Sequence, residues 1–115
     1  MPRDTSDLLH GTLDLLVLKA LATQPMHGFG LTKWIEQRTN NELEIVDSAL
    51  YKALHRLEDN SAIVAEWGVS DNNRRAKFYR LSAAGRARFR AESSVWHRHA
   101  DTIAAVLKQA SPRTA

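Results

Sequence analysis

The apolar positions of this chain change period several times, and each change marks an element. Residues 47–60 carry the clearest helical signal: Leu50, Ala53, Leu54 and Leu57 recur at i, i+3, i+4 and i+7, the spacing of a buried stripe. Ser48, Tyr51, Lys52, His55 and Asp59 fall on the opposite side, with Arg56 at its margin. Asp47 or Ser48 stands where a side chain can cap the first turn. The period then shortens to two. Ile63, Ala65, Trp67 and Val69 alternate with Val64, Glu66, Gly68 and Ser70, the pattern of a half-buried strand. Ser70, Asp71, Asn72 and Asn73 supply turn chemistry, and residues 76–81 read as the returning strand. Arg74, Arg75 and Lys77 make the hairpin tip basic.

The flanking stretches read as three more helices. Residues 8–22 are apolar nearly all round, with Leu13, Leu15, Leu16, Val17, Leu18, Ala20 and Leu21, so this helix needs partners on more than one face. The second partner is either another subunit or the rest of its own. Gln24-Pro25 breaks the chain, and residues 27–38 follow as a helix with Phe29, Leu31, Trp34 and Ile35 expected inward. Gly28 and Gly30 at its start suggest close backbone packing. Residues 39–46 connect, with an extended piece at 43–46 expected to pair with the hairpin. Ser82 suits a cap for a long helix over 83–109. There Phe89, Trp96, Ile103 and Ala110 recur every seven residues, interleaved with Ser93, Ala100 and Leu107. Such a seam pairs helix with helix. Nothing follows it to pack against, which points to a second copy of the chain, with the partner's first helix as the expected contact. The expected intersubunit residues are Leu13, Leu16, Val17, Phe89, Trp96, Ala100, Ile103 and Leu107. Residues 1–7 and 111–115 read as a frayed start and a disordered tail.

The fold class that follows is mostly α with a small β-hairpin wing: a winged helix-turn-helix over residues 1–82, then a C-terminal dimerisation helix and tail over 83–115. At 115 residues the chain is long enough for one such domain with an appendage. It has no cysteine, which excludes disulfides and thiolate zinc sites and fits a reducing compartment. With no apolar run near 18 residues and a polar start, the expectation is a cytoplasmic protein without membrane contact.

Charge changes the picture more than composition does. The net charge is only +3, yet residues 1–73 hold 6 Lys/Arg against 11 Asp/Glu, while residues 74–98 hold 8 against 1. The excess therefore gathers on the hairpin and the helix after it, beside an exposed helix face bearing a phenol, an ammonium, an imidazole and a guanidinium. Those donors suit phosphates and base edges. An ordinary solvated face explains any one of these features alone; their adjacency favours double-stranded DNA. Enzyme chemistry finds no support. His97 and His99 lie i, i+2 on a helix and point apart, His55 and Glu58 lack a third ligand, and no phosphate loop or nucleophile elbow is present. No cofactor or metal is expected.

The segments LLHGTLDLLVLKALA, PMHGFGLTKWIE, ALYKALHRLED and AEWGVSDNNRRAKFYRLSAAGR, with the Trp96 helix, resemble the PadR family of bacterial transcriptional regulators. The likeness is greatest to its short, acidobacterial-type branch and spans residues 8–107. The resemblance implies a dimeric repressor of nearby transporter, permease or detoxification genes that binds a palindromic operator as a homodimer. It puts Tyr51 where the family's tyrosine reads DNA, with Arg74, Arg75 and Lys77 on the wing. Ser48, Lys52, His55 and Arg56 complete the expected DNA-binding set. Three departures from the family pattern stand out. Ser48-Ala49 replaces Gly-Ser, Lys52 replaces a proline, and Ser61 replaces the glycine that closes the helix. Trp96 has two readings, a packing residue or one wall of a site for a planar aromatic effector. A winged-helix dimer that docks proteins without specific DNA binding stands as the alternative.

Overall fold

The stretches of helical period become helices and the alternating ones strands, and the helix ends are set by backbone chemistry rather than by loss of apolar residues. The computed structural model describes residues 3–4 and 11–110. Its elements run β1 (Arg3–Asp4), α1 (Thr12–Thr23), β2 (Met26–His27), α2 (Gly28–Arg38), β3 (Leu43–Glu44), α3 (Asp47–Asp59), β4 (Ile63–Val69), β5 (Arg75–Leu81) and α4 (Ala83–Lys108). The expected helix at residues 8–10, the remainder of the frayed start and the disordered tail at 111–115 lie outside the described residues.

Three helix ends show the local rules. Asn60 closes α3, Ser61 adopts φ 61°, and the N–H groups of Ser61 and Ala62 return to the carbonyls of Glu58 and Leu57. This is a complete Schellman closure with serine in the left-handed position that glycine usually takes. Asn40 and Asn41 end α2 the same way, at φ 52° and 61°, with N–H groups bonded to Gln37 and Glu36 carbonyls. Asparagine tolerates that region because its short polar side chain bonds locally. At the start of α3 the expected cap at Asp47 or Ser48 is not what forms. Val46 occupies the cap position and supplies no polar side chain; Asp47 instead adds its charge to the first turn, where the helix dipole favours it. The preceding residue is held from elsewhere, since Ile45 N–H donates to Glu36 Oε2 at 3.0 Å.

The core is built by α1, α2 and α3 over the base of the sheet. Val17, Leu18, Ala20 and Leu21 meet Leu31 and Ile35 from α2 and Leu50, Ala53, Leu54 and Leu57 from α3, with Met26, Ile63, Tyr79 and Leu81 below. Burial keeps the Tyr79 phenol above its ordinary pKa, with the Glu58 and Tyr51 charges acting in the same direction. Two groups of expectations change here. Leu13 and Val17 lie inside the subunit, Val17 at 0% exposure, so neither offers surface to a second copy. Leu16 and Phe89 are partly covered against the same core. Phe29, expected inward, is 68% exposed because it lies almost opposite the Leu31–Ile35 stripe on the helix.

The wing is a three-stranded antiparallel sheet of order β2-β5-β4. Met26 pairs with Tyr79 and His27 with Phe78, so the segment after Pro25 supplies the third strand. The extended piece around residue 43 does not join the wing as expected; β3 pairs in parallel with β1. β5 is already paired on both sides, by β2 and by β4. Between β4 and β5, Ser70 N–H bonds to Arg74 O at 2.8 Å and Asn73 adopts φ 60°, a three-residue loop with one left-handed position. The strand alternation holds, but Trp67 and Val69 are exposed because the hairpin outruns the core.

Ser82 begins α4 as expected, accepting from Gly85 N–H at 3.0 Å. Its hydroxyl also reaches Ser61 and Ala62 carbonyls, tying α4 to the corner that ends α3. Gly85 presses on that corner so closely that an added Cβ would lie 1.9 Å from Ala62 O. A Gly85→Ala change is therefore expected to destabilise the fold by about 1–3 kcal/mol, read by thermal or denaturant unfolding. Ser61→Gly should act oppositely, adding about 1 kcal/mol by removing the left-handed penalty; an unchanged melting point would contradict that account.

Candidate nucleic-acid interface

The stripe Leu50, Ala53, Leu54 and Leu57 is buried, which fixes the rotation of α3 and leaves Ser48, Tyr51, Lys52 and His55 on its exposed face. Next to that face stands the hairpin. Register places Trp67 opposite Lys77 and Val69 opposite Arg75, on the face that lower down carries Ala65 opposite the buried Tyr79. Side chains alternate across a strand, so Trp67, Arg75 and Lys77 project on the α3 side of the wing. Lys77 Nζ lies 3.8 Å from Glu58 Oε1 on α3, linking the two elements loosely.

Tyr51, Arg74, Arg75 and Lys77 border one open groove of about 1050 Å³ between the start of α2 and the wing. Ser48, Lys52 and His55 lie outside it, farther along the exposed face of α3. Trp96 belongs elsewhere. It lines a second, mostly apolar groove of about 470 Å³ between the start of α1 and α4, with Leu15, Val95 and Ile103.

Arg56 has a role that its sequence position does not announce. Its Nε and Nη2 donate to Asp14 Oδ2 and Oδ1 at 3.2 and 2.6 Å, a two-pronged bond between α3 and α1. The Asp14 side chain is 7% exposed and that of Arg56 48%. The bond to Asp14 holds the Arg56 guanidinium above its ordinary pKa, against a smaller opposing effect of burial. Two of its three nitrogens are thus engaged within the subunit, leaving one for an outside anion. A lone acid inside the apolar run 8–22 was the signal for this pair.

Several groove residues escape a sequence reading. Gly28 lets the Tyr51 ring cross the first turn of α2, since a Cβ there would meet Tyr51 Oη at 2.9 Å. His27 caps α2 by accepting the Gly30 N–H on Nδ1 at 3.0 Å, and its ring packs edge-on against Phe78. Phe29 and Lys33 lie on the same wall, the ammonium 5.4 Å from the ring centre. The helical phase of Phe29 could have shown it facing outward; the role of Gly28 needed the tertiary contact. What the groove and helix offer together is donors, positive charge and exposed aromatic faces. That chemistry suits a duplex backbone with one readable groove. Among the described residues no group of three His, Cys, Asp or Glu could hold a metal ion, and no helix is long and apolar enough to cross a membrane.

Comparison with known proteins agrees with this geometry. The model of the transcriptional regulator PadR-like family matches residues 17–91. A transcriptional regulator from Clostridium thermocellum has a similar structure, with a TM-score of 0.80 and 26% identity, covering 90% of this chain and 98% of its own. A PadR family transcriptional regulator from Eggerthella lenta gives a TM-score of 0.74 and 28% identity over 87% of this chain and 85% of its own. An uncharacterized protein of Lysinibacillus sphaericus is 36% identical over 83 residues, 71% of this chain and 75% of that protein. The chain, a winged helix-turn-helix with a long C-terminal helix and not an enzyme, belongs to the PadR-like family of transcriptional regulators.

Proposed function

We propose that the protein is a sequence-specific, dimeric repressor that places α3 of each subunit in successive major grooves of a palindromic operator. The observation that carries this reading is the adjacency of two surfaces: the exposed Ser48–Tyr51–Lys52–His55 face of α3 and the basic wing beside it. Tyr51 and His55 reach a phosphate or thymine methyl, Lys52 reads guanine or neutralises a phosphate, and Arg74, Arg75 and Lys77 bind backbone. Arg56 serves the fold first and a phosphate second. Half-sites lie about one helical turn, near 34 Å, apart. Its targets are neighbouring transporter, permease or detoxification genes, as the family likeness suggests.

The second subunit is supported by α4. Of its residues only Gly85 is buried, while Val95, Trp96, Ile103, Val106 and Leu107 are exposed, Leu107 at 78%. Trp96, Ala100, Ile103 and Leu107 keep the seven-residue seam after Phe89 turns to its own subunit. A partner's α4 laid on this seam covers it, and a planar aromatic effector can share the space beside Trp96. The cytoplasm is the compartment for such a protein.

Three measurements test these points. Tyr51→Ala or Lys52→Ala should lower preference for the gene's own upstream duplex over scrambled DNA by about 1–3 kcal/mol per lost base contact. Equal wild-type binding to both duplexes would favour the protein-docking alternative. Ile103→Asp with Leu107→Asp should convert dimer to monomer in light scattering and lose operator binding; a monomeric wild type would overturn the dimer. Arg56→Ala should cost about 1–3 kcal/mol of folding stability, because it leaves the Asp14 carboxylate buried without this partner. Loss of DNA binding without loss of stability would instead make Arg56 chiefly a DNA contact.

A further inference from the structure

Trp67 is a large aromatic side chain standing 62% exposed on a hairpin beyond the core, so burial does not explain it. What it touches does. The Arg75 guanidinium carbon lies 4.3 Å from the Trp67 ring centre, the shortest cation–ring distance among the described residues. The pairing follows from register, since Arg75 sits opposite Val69, two residues from Trp67 on the same face of the hairpin. The two faces of this hairpin treat their arginines differently. On the outer face Arg80 is answered by Glu66, with Nε 2.8 Å from the carboxylate. On the α3 face Arg75 has an aromatic plane under it and no carboxylate bonded to it among the described residues. Its charge is held in place without being neutralised.

We infer that Trp67 is a positioning residue for DNA binding: its indole braces the Arg75 guanidinium at the groove bordered by Tyr51 and Lys77, with the donor edges free for a duplex phosphate. This rests on the DNA-binding reading given above. A guanidinium held over an aromatic face is attracted to the ring without a carboxylate taking up its N–H groups, which stay available. The contact also fixes the long side chain before DNA arrives, so less rotamer freedom is lost on binding. The inference adds to that reading a division of labour on the wing, in which Trp67 acts through Arg75 and not on the nucleic acid.

A double-mutant cycle with the full chain and its own upstream duplex tests it. Trp67→Ala should weaken binding about three- to tenfold in the wild-type background, and by less than about twofold when Arg75→Ala is already present. Trp67→Phe should restore most of the loss. Arg75→Ala should reduce the slope of log affinity against log salt by about 0.9, one phosphate. In the free protein, the Arg75 Nε–Hε heteronuclear NOE should fall on Trp67→Ala, a change that loss of a direct DNA contact does not produce. An equal loss in both backgrounds means Trp67 touches DNA itself and overturns the inference. So does wild-type affinity in Trp67→Ala, or an unchanged NOE. If the wild-type protein binds no duplex, the DNA-binding reading itself falls and this inference with it.

Discussion

Everything on the outer surface of α3 depends on what its inner surface is pressed against. Leu50, Ala53, Leu54 and Leu57 are buried among α1 and α2 residues, and each large side chain removed from water contributes about 1.5–3 kcal/mol. Rotating α3 by half a turn, about 180°, would expose that stripe and bury Tyr51, Lys52 and His55 in its place. The core therefore holds the donor face outward more firmly than any contact made by the donors themselves. The Asp14–Arg56 bond adds direction to a non-directional force. It joins α1 and α3 at one point, so the helices cannot slide along their shared apolar seam without stranding a buried carboxylate.

The corner at Ser61 and Ala62 carries the next level of organisation. It ends α3, begins the strand at Ile63, and accepts the Ser82 N–H and hydroxyl that start α4. Gly85 then packs onto the Ala62 carbonyl. Three elements (α3, the wing and α4) thus share one junction. Ser61 keeps a left-handed backbone here because the junction over-determines it. α4 is thus joined to α3 at this corner by hydrogen bonds and close packing.

The surface chemistry divides along the same lines. The wing's outer face pairs its charges internally, whereas its α3 face stacks Arg75 on Trp67 and lets Lys77 lie only loosely near Glu58. The apolar groove beside Trp96 lies between the start of α1 and α4 and shares no lining residue with the groove at the wing. The cation-bearing groove and the mostly apolar groove are thus separate surfaces of one chain.

Periodicity by itself determined the helices, the hairpin, the inward stripe of α3, the Ser82 cap and the basic tip, because these follow from rules that act within a few residues. The family likeness was legible in the same strings. Local rules could not decide where long-range partners lie. Residues 43–46 look like a strand in search of an edge, and only the fold assigned that edge of the wing to Met26–His27. Leu13 and Val17 look like interface residues on a helix apolar all round, and only packing turned them inward. Arg56 reads as a DNA contact alone, and its bond to Asp14, forty-two positions earlier and 2.6 Å away, appears only in the fold. Exposure of Trp67 likewise depends on how far the hairpin outruns the core, a length that alternation along a strand does not encode. Sequence sets which faces are apolar; three-dimensional closure decides which of them remain uncovered, because burial is a property of the whole packing and not of any segment.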